Sequence, residues 1–513
     1  MRFFKYMKDT SNKGKDKRVE KYEDLHQNVF PKLEENINYI NSAFSQSSDL
    51  IIKDIRINKL KGNVLYLETL TDAEKIQKDF FSILDESKEK SLETLMESKK
   101  IEVSNDLSEA IKLTLEGYCL LFLDKYDSFL FFSASKVHSR KINEPDNEKV
   151  VRGSHEGFIE DLMINLNLIR KRIENPSLTI KYFTLGRETR TKIALVYMDN
   201  LANSKLIQNV QKRIESISSD ILMSPGFLEE FIEDSPSSVF PQVLNTERPD
   251  RVMAQLLEGR VAIVAEGSPT VLIAPVTFFA FYQSPDDYNS RWTTATFFRL
   301  IRLLSFIIAV ILPSLYISII DFHFEVIPID LVLLIKSSIK NIPYPPLIEA
   351  LILEIVIGLI REAGIRLPTP IGQTIAIVGG LVIGDAIVKA GLVSNVMIVV
   401  IALTAIASFA IPSNEMVTAI TILRFPFMFL ASFLGFIGIT FGMIFLLIHL
   451  CKLESFGTPY FAPLAPLRIQ DLKDTFVRLP LWTFNRRPLD SHPKNMKRQA
   501  KTREWEHSEE RNE

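Results

Sequence analysis

LIRLLSFIIAVILPSLYISII, residues 300–320, decides how this chain is read. It carries a single charge, Arg302, and as a helix rising about 1.5 Å per residue it reaches across the roughly 30 Å hydrocarbon core of a bilayer. On its amino-terminal side, up to Arg291, charged and apolar residues are interleaved at the periods of strands and helices. On its carboxy-terminal side, further apolar stretches follow at 347–360, 371–388, 394–411 and 425–450. This segregation lets a chain with 24% charged residues keep a positive mean hydropathy of +0.11. The expected fold is an α/β soluble amino-terminal region of two subdomains followed by an all-α helical membrane domain. The expected parts are a disordered basic tail over 1–25, α/β subdomains over 26–145 and 150–290, and a membrane domain of four to six helices over 295–452. A juxtamembrane segment over 453–490 and a charged disordered tail over 491–513 complete the chain.

At 513 residues the chain is too long for one core, in keeping with several folded parts. Lys+Arg 60 against Asp+Glu 62 leaves a formal charge of -2, without the basic surplus of a nucleic-acid binder. Cys119 and Cys451 are the only cysteines, so neither a disulfide framework nor a paired metal motif is available, and a reducing compartment is expected for the soluble half. The opening MRFFKYMKDTSNKGKDKR is basic but lacks the apolar core and cleavage site of a signal peptide. The amino-terminal region is therefore expected on the cytoplasmic side, with a tail able to touch lipid.

Within the first subdomain NVLYLETL (63–70) alternates like a strand, and TDAEKIQKDFFSILDES (71–87) follows as a helix with Thr71 as its expected N-cap. GYCLLFLDKYDSFLFFSAS (117–135) reads as a β-hairpin turning around Asp124–Asp127. After the polar linker NEPDNEK (143–149), the second subdomain presents helix-like GFIEDLMINLNLIRKRIE, strand-like KIALVYMD and helix-like LIQNVQKRIESIS. VAIVAEG and VLIAPVTF are expected as strands joined by a tight turn at Gly267-Ser268-Pro269.

Basic flanks orient the helical region. Arg291, Arg299 and Arg302 flank the start of its first apolar run, and Lys452, Arg468, Lys473, Arg478, Arg486 and Arg487 follow its last, which places both ends in the cytoplasm and requires an even number of crossings. Five runs conflict with that number. Either 347–360, which carries Glu349 and Glu354, fails to cross, or IPIDLVLLIKSSI (327–339) adds a crossing.

No phosphate loop, zinc-protease helix, nucleophile elbow or paired CxxC occurs, and the seven histidines are scattered, so no catalytic residue, metal ligand or cofactor is expected. Gly153-Ser154-His155-Glu156-Gly157 places a Ser beside a His, but chain neighbours rarely face each other and no third group orients the ring.

Four blocks name a family: RGSHEGFIEDLMINLNLIRKRI (152–173), SVFPQVLNTERPDRV (238–252), LLEGRVAIVAEGSPTVLIAPVTF (256–278) and FGTPYFAPLAPLRIQDLKDTFVRLP (456–480). With QSPDDY between the last two, they resemble the A subunit of the GerA-family spore germinant receptors over about 150–490; Ser154-His155 stands where that pattern has Pro-Arg. The resemblance implies a nutrient receptor in the inner membrane of a bacterial endospore, working with a transporter-like B subunit and a lipoprotein C subunit. It further implies a homo-oligomer, expected as a pentamer, around an ion pathway whose opening starts germination.

Candidate site residues follow from polarity and spacing. Gly372, Ala376, Gly380 and Gly384 recur every four residues and form a smooth helix-packing face. Thr374, Val378, Leu381, Asp385 and Val388 lie on another face, polar near its ends and apolar between, which suits either packing or a pore that gates by dewetting. Glu349 follows Pro345-Pro346 in a first helical turn, where the dipole favours it. Glu354, with Arg361 two turns away, is either a structural contact or an ion-path carboxylate. In TERPD, Pro249 and Asp250 suit a helix start, and Glu247 and Arg248 are candidates for bridging neighbouring subunits. A self-contained secondary transporter and a non-conducting scaffold remain the rival functions.

Overall fold

A computed structural model of the chain describes residues 27–57, 60–78, 101–136, 144–145, 147–340, 342–366, 386–387, 389–500 and 502. It divides into two compact units, 1–141 with 163–182, and 142–162 with 183–513.

The first unit is built on an antiparallel sheet of order β1-β2-β4-β5-β3: β1 (Leu50–Ile57), β2 (Leu60–Leu67), β3 (Glu102–Ser104), β4 (Tyr118–Leu123) and β5 (Phe129–Ser133). From Cys119 to Leu123 in β4 and from Phe129 to Phe132 in β5 successive residues are apolar, because both faces of the sheet are covered. Leu120, Phe122, Phe129 and Phe131 pack under α1 (Leu33–Ala43) and α2 (Leu107–Leu115), while Cys119, Leu121, Leu130 and Phe132 pack with Ile76 and Ile101 on the reverse face. The β4–β5 hairpin read from the sequence pairs Cys119 with Phe132 and Leu121 with Leu130. One detail differs. Asp72, not Thr71, caps the turn Ala73–Ile76, its carboxylate accepting from the Glu74 N–H at 2.9 Å, while the Thr71 hydroxyl donates to the Leu67 carbonyl. A carboxylate satisfies the open N–H groups better than a hydroxyl already engaged behind it. In the helix α3 (Leu162–Arg172), Arg170 is wholly buried and pairs with Asp49 at 2.8 Å.

The second sheet has the order β6-β7-β9-β10-β8, with β6 (Leu178–Leu185), β7 (Thr191–Met198), β8 (Leu244–Thr246), β9 (Val261–Ala265) and β10 (Val271–Ala274). Strand for strand this repeats the first order, with the third strand of each set at the far edge beside the fifth. Gly267, at φ +82°, makes the expected turn between β9 and β10. The helices α4 (Ser204–Glu215), α5 (Pro225–Ile232) and α6 (Pro249–Leu256) accompany it, and Leu206, Val210, Leu228 and Ile232 share a core with Ile193, Leu195 and Ile263.

The helical region follows as α7 (Trp292–Phe322), α8 (Ile329–Ile339), α9 (Pro346–Arg366), α10 (Asn395–Phe409) and α11 (Asn414–Lys452). Among the described residues, α7 and α11 are long and apolar enough to cross a membrane. The last run, continuous in composition, is not continuous in space. Gly435 has φ +58° and ψ −138°, and a Cβ placed on Gly442 would stand 2.9 Å from the Phe427 ring. Those two residues would be about 22 Å apart along a straight helix, so α11 folds back on itself at Gly435 as two antiparallel arms. The turn rests on the end of α7, where the His323 and Phe436 rings stack at 4.4 Å.

Beyond α11 the chain returns to the second sheet. The Ser455 hydroxyl donates to the Gln242 carbonyl at 2.7 Å, the Tyr460 hydroxyl to that of Pro241 at 2.7 Å, and Lys494 Nζ to that of Asp199 at 2.7 Å, making a strap over 456–498.

Candidate functional site: two buried arginines of the helical region

Pro313 has no N–H to offer, so within α7 the carbonyl of Ala309 loses its helical partner. Arg424 Nε, on the first arm of α11, donates to that oxygen at 2.7 Å. Its Nη1 reaches both carboxylate oxygens of Glu354 on α9, at 3.0 and 2.9 Å, and its Nη2 donates to the Ser408 hydroxyl on α10. Four helices thus meet at one guanidinium. Arg424 is 3% and Glu354 5% exposed, and each nitrogen of the guanidinium has a partner within the chain. Such a hub locks helices together, and it offers no proton donor, nucleophile or open coordination position. Nearby, Glu349 Oε2 accepts from the Ser394 N–H at 2.7 Å, and Ser394 in turn caps α10, its hydroxyl accepting from Met397.

A second arginine anchors the near end of α7. Arg299, wholly buried, donates to Asp474 Oδ1 at 2.8 Å and to Asp287 Oδ2 at 3.3 Å, and Arg302 Nη1 adds bonds to Asp287 at 2.8 Å. The Tyr288 hydroxyl donates to Asp474 Oδ2 at 2.7 Å, and burial raises the Tyr288 phenol well above its usual range. Gln283 Nε2 donates to the Asp474 carbonyl at 2.8 Å. The QSPDDY block and the strap that follows α11 therefore converge on the first apolar helix. At the other end of that region, His449 Nε2 lies 3.0 Å from the Ser238 hydroxyl.

The sequence-derived candidates are placed as follows. Glu354 is held by Arg424, not by Arg361. Arg248 is wholly buried; it donates to the carbonyls of Glu148 (3.1 Å) and Ser154 (2.9 Å) and to Asp250 (2.7 Å), bracing the linker against α6. Glu247 is half-buried and accepts from Asn147 Nδ2 at 2.5 Å. Pro249 and Asp250 occupy the first turn of α6 as read. Gly372, Thr374, Ala376, Val378, Gly380, Leu381, Gly384, Asp385 and Val388 lie outside the described residues. Arg424 escaped the sequence reading although a signal was present: it is the one charge between Glu415 and His449, and an acid, Glu354, stood in another apolar run. Among the described residues no group of side chains could hold a metal ion.

Comparison with known proteins places this geometry. The sequence profile described as Bacillus/Clostridium GerA spore germination protein matches residues 38–489. Spore germination protein B1 of Bacillus subtilis (strain 168) is 40% identical over 476 residues, covering 91% of this chain and 99% of that protein. An uncharacterized membrane protein of the same organism, YfkQ, is 39% identical over 486 residues, covering 92% and 95%. Spore germination protein KA, also from that organism, is 37% identical over 484 residues, covering 92% and 89%. The crystal structure of the N-terminal domain of the A subunit of the Bacillus megaterium spore germinant receptor GerK3 is 28% identical, with a TM-score of 0.39, covering 50% of this chain and 98% of that one. The sequence matches bear out the resemblance to the GerA family drawn from the four sequence blocks. This chain, an α/β region followed by apolar helices, belongs to the GerA family of spore germination proteins.

Proposed function

We propose that the chain is the A subunit of a nutrient germinant receptor in the spore inner membrane, and that copies of it surround an ion path whose opening starts germination. The observation that carries this reading is the Arg424 hub. It fills the meeting point of α7, α9, α10 and α11 and neutralises Glu354, so an ion path through the interior of one chain would have to break a buried ion pair. A path between copies avoids that cost, and 371–388 is the segment whose residue pattern suits it. Thr374 and Asp385 are its polar ends, with Val378 and Leu381 a narrow apolar ring able to exclude water. A transporter-like B subunit and a lipoprotein C subunit are its proposed partners.

The fold also supports an even number of crossings. Both ends of the helical region tie to the second sheet's body, through Arg299 at one end and His449 at the other. The helix α8, about 17 Å long, is too short to cross. α7, α9, the 371–388 segment, α10 and the two arms of α11 then give six crossings, and the amino-terminal region and the tail share the cytoplasmic side. In a Cys451→Ser background, cysteines at Ser48 and Ser508 should resist an impermeant reagent applied outside intact cells; labelling of either reverses the orientation.

The pore is tested by Val378→Ala and Leu381→Ala in the purified chain reconstituted in lipid vesicles. Each should leak ions without nutrient, whereas a merely packed helix would lose roughly 1 to 4 kcal/mol of stability and its function. Normal protein levels without leakage in either variant would remove this segment from the path.

A further inference from the structure

The strap runs beside the root of α7 and keeps apolar side chains in the open there. The Arg478 N–H donates to the Thr296 hydroxyl at 3.2 Å, in the second turn of α7, and both chain neighbours of that contact, Val477 and Phe297, are exposed. Leu481 and Trp482 follow in the strap, each nearly half exposed. Scattered apolar residues on a protein surface need no explanation. These adjoin a helix long and apolar enough to cross a membrane, at the level where its charged root gives way to Phe298, Leu300 and Ile301, all exposed. An aromatic side chain at that level suits the boundary between headgroups and acyl chains.

Arg478 itself is 4% exposed. Its Nη2 donates to the Tyr288 carbonyl at 3.4 Å, its Cζ stands 5.8 Å from the centre of the Tyr288 ring, and its Nε is buried without a partner. Among the described residues no carboxylate pairs with it, whereas Arg299, Arg302 and Arg424 each have one. A guanidinium so far out of water is costly until an anion meets it. The cluster around Tyr288 cannot supply that anion: Asp287 and Asp474 are two negative charges against the three of Arg299, Arg302 and Arg478. Lys473, exposed and next to Asp474 in the chain, enlarges the surplus.

We propose that this face of the strap binds an anionic phospholipid of the cytoplasmic leaflet. The lipid phosphate accepts from the Arg478 guanidinium and supplies the missing counter-charge, while the acyl chains lie against Phe297, Leu481 and Trp482. An uncharged surface would take any lipid, and the uncompensated cation selects one with a net negative headgroup. Bound there, the lipid joins the strap to the first helix. The choice of leaflet rests on the orientation proposed above; a nanodisc offers both leaflets, so the test below reads lipid contact whichever side the strap occupies.

The test is fluorescence quenching in the full chain carrying Trp292→Phe and Trp505→Phe, which leaves Trp482 as its single tryptophan. The chain is placed in nanodiscs of phosphatidylglycerol and phosphatidylcholine in equal parts, with bromine on the acyl chains of one lipid or the other. Brominated phosphatidylglycerol should quench Trp482 the more strongly, with a relative affinity of about fivefold, the equivalent of the roughly 1 kcal/mol that one basic residue contributes at an anionic membrane surface. Arg478→Gln should bring that ratio to about one while quenching persists. If that variant fails to fold, salt takes its place: at about 1 M, where charges are screened beyond roughly 3 Å, the preference of the parent chain should fall towards one. Absence of quenching by either lipid overturns the assignment, because the strap then faces solvent or another protein. Equal quenching by the two lipids in the parent chain overturns it as well, as does a preference that neither Arg478→Gln nor salt diminishes.

Discussion

Arg299 and Arg424 are buried to nearly the same degree, 0% and 3% exposed, yet their surroundings differ in kind. Arg299, at the root of α7, bonds two aspartates, one shared with Arg302 and the other with the Tyr288 hydroxyl, and donates to a strap carbonyl. Arg424, in the middle of the apolar bundle, has one carboxylate, one hydroxyl and one carbonyl that Pro313 set free. Near water, several charges of both signs can be held together because each imbalance is screened or titrated away. Among apolar helices the set closes at one plus and one minus, with neutral oxygens filling the rest, because no solvent is at hand to absorb an error. The root cluster is thus a joint between the α/β body and the helices, and the hub is a lock within the helices.

Breaking the lock should have the largest effect. Arg424→Met leaves Glu354 buried without a counter-charge and should cost about 3 to 5 kcal/mol, seen as loss of folded protein in detergent or nanodisc denaturation. The double variant Arg424→Met with Glu354→Leu should recover most of that loss. Equal instability of single and double variants would show that the two side chains are not coupled and would erase the contrast with Arg299. Arg299→Met should cost less, about 2 to 4 kcal/mol, because Arg302 still holds Asp287 and only Asp474 loses its cation. Denaturation of the two single variants side by side gives the ranking.

Much of this was legible in the sequence, and the boundary of legibility is physical. The β4–β5 hairpin and the β9–β10 turn are local, so alternation and Gly267 sufficed. The change of character after Arg291 was equally plain. The joint was not, because Asp474 lies 175 residues from Arg299 and its segment offers no period that names a partner. As flanking charges Arg299 and Arg302 spoke only of orientation. The lock needed a charge-matching step across two apolar runs, Glu354 against Arg424, that hydropathy alone does not supply. The fold-back of α11 was hidden most deeply. Gly435, Gly438 and Gly442 look like a close-packing face of one straight helix, and nothing in composition reveals that the first of them takes a positive φ.

That turn gives the next prediction. A Cβ on Gly435 would adopt φ +58° and meet Phe322 and His323 at 3.0 to 3.2 Å, so Gly435→Ala should cost about 1 to 3 kcal/mol. The damage should fall on the contact between the turn and α7, leaving the Arg299 joint intact. Crosslinking between engineered cysteines on the two arms of α11 checks it, with reduced yield expected. An unchanged yield and melting temperature would mean that the arms do not depend on this turn.

The smallest effect belongs to the joint side and concerns protons. Burial raises the Glu258 carboxyl to about 7, well above the 4.5 of a free glutamate, with Arg260 and Arg498 opposing the shift. In the folded chain it therefore holds a proton that the unfolded chain has given up, so its contribution is full below pH 4.5 and is lost as pH rises through 7. Between pH 6 and pH 8 this one group should lower stability by about 1 kcal/mol. Glu258→Gln, which keeps the shape and cannot ionise, should flatten that part of the pH–stability curve and make the variant the more stable protein at pH 8. If the slope persisted unchanged in Glu258→Gln, the titrating charge would sit elsewhere than beside the joint.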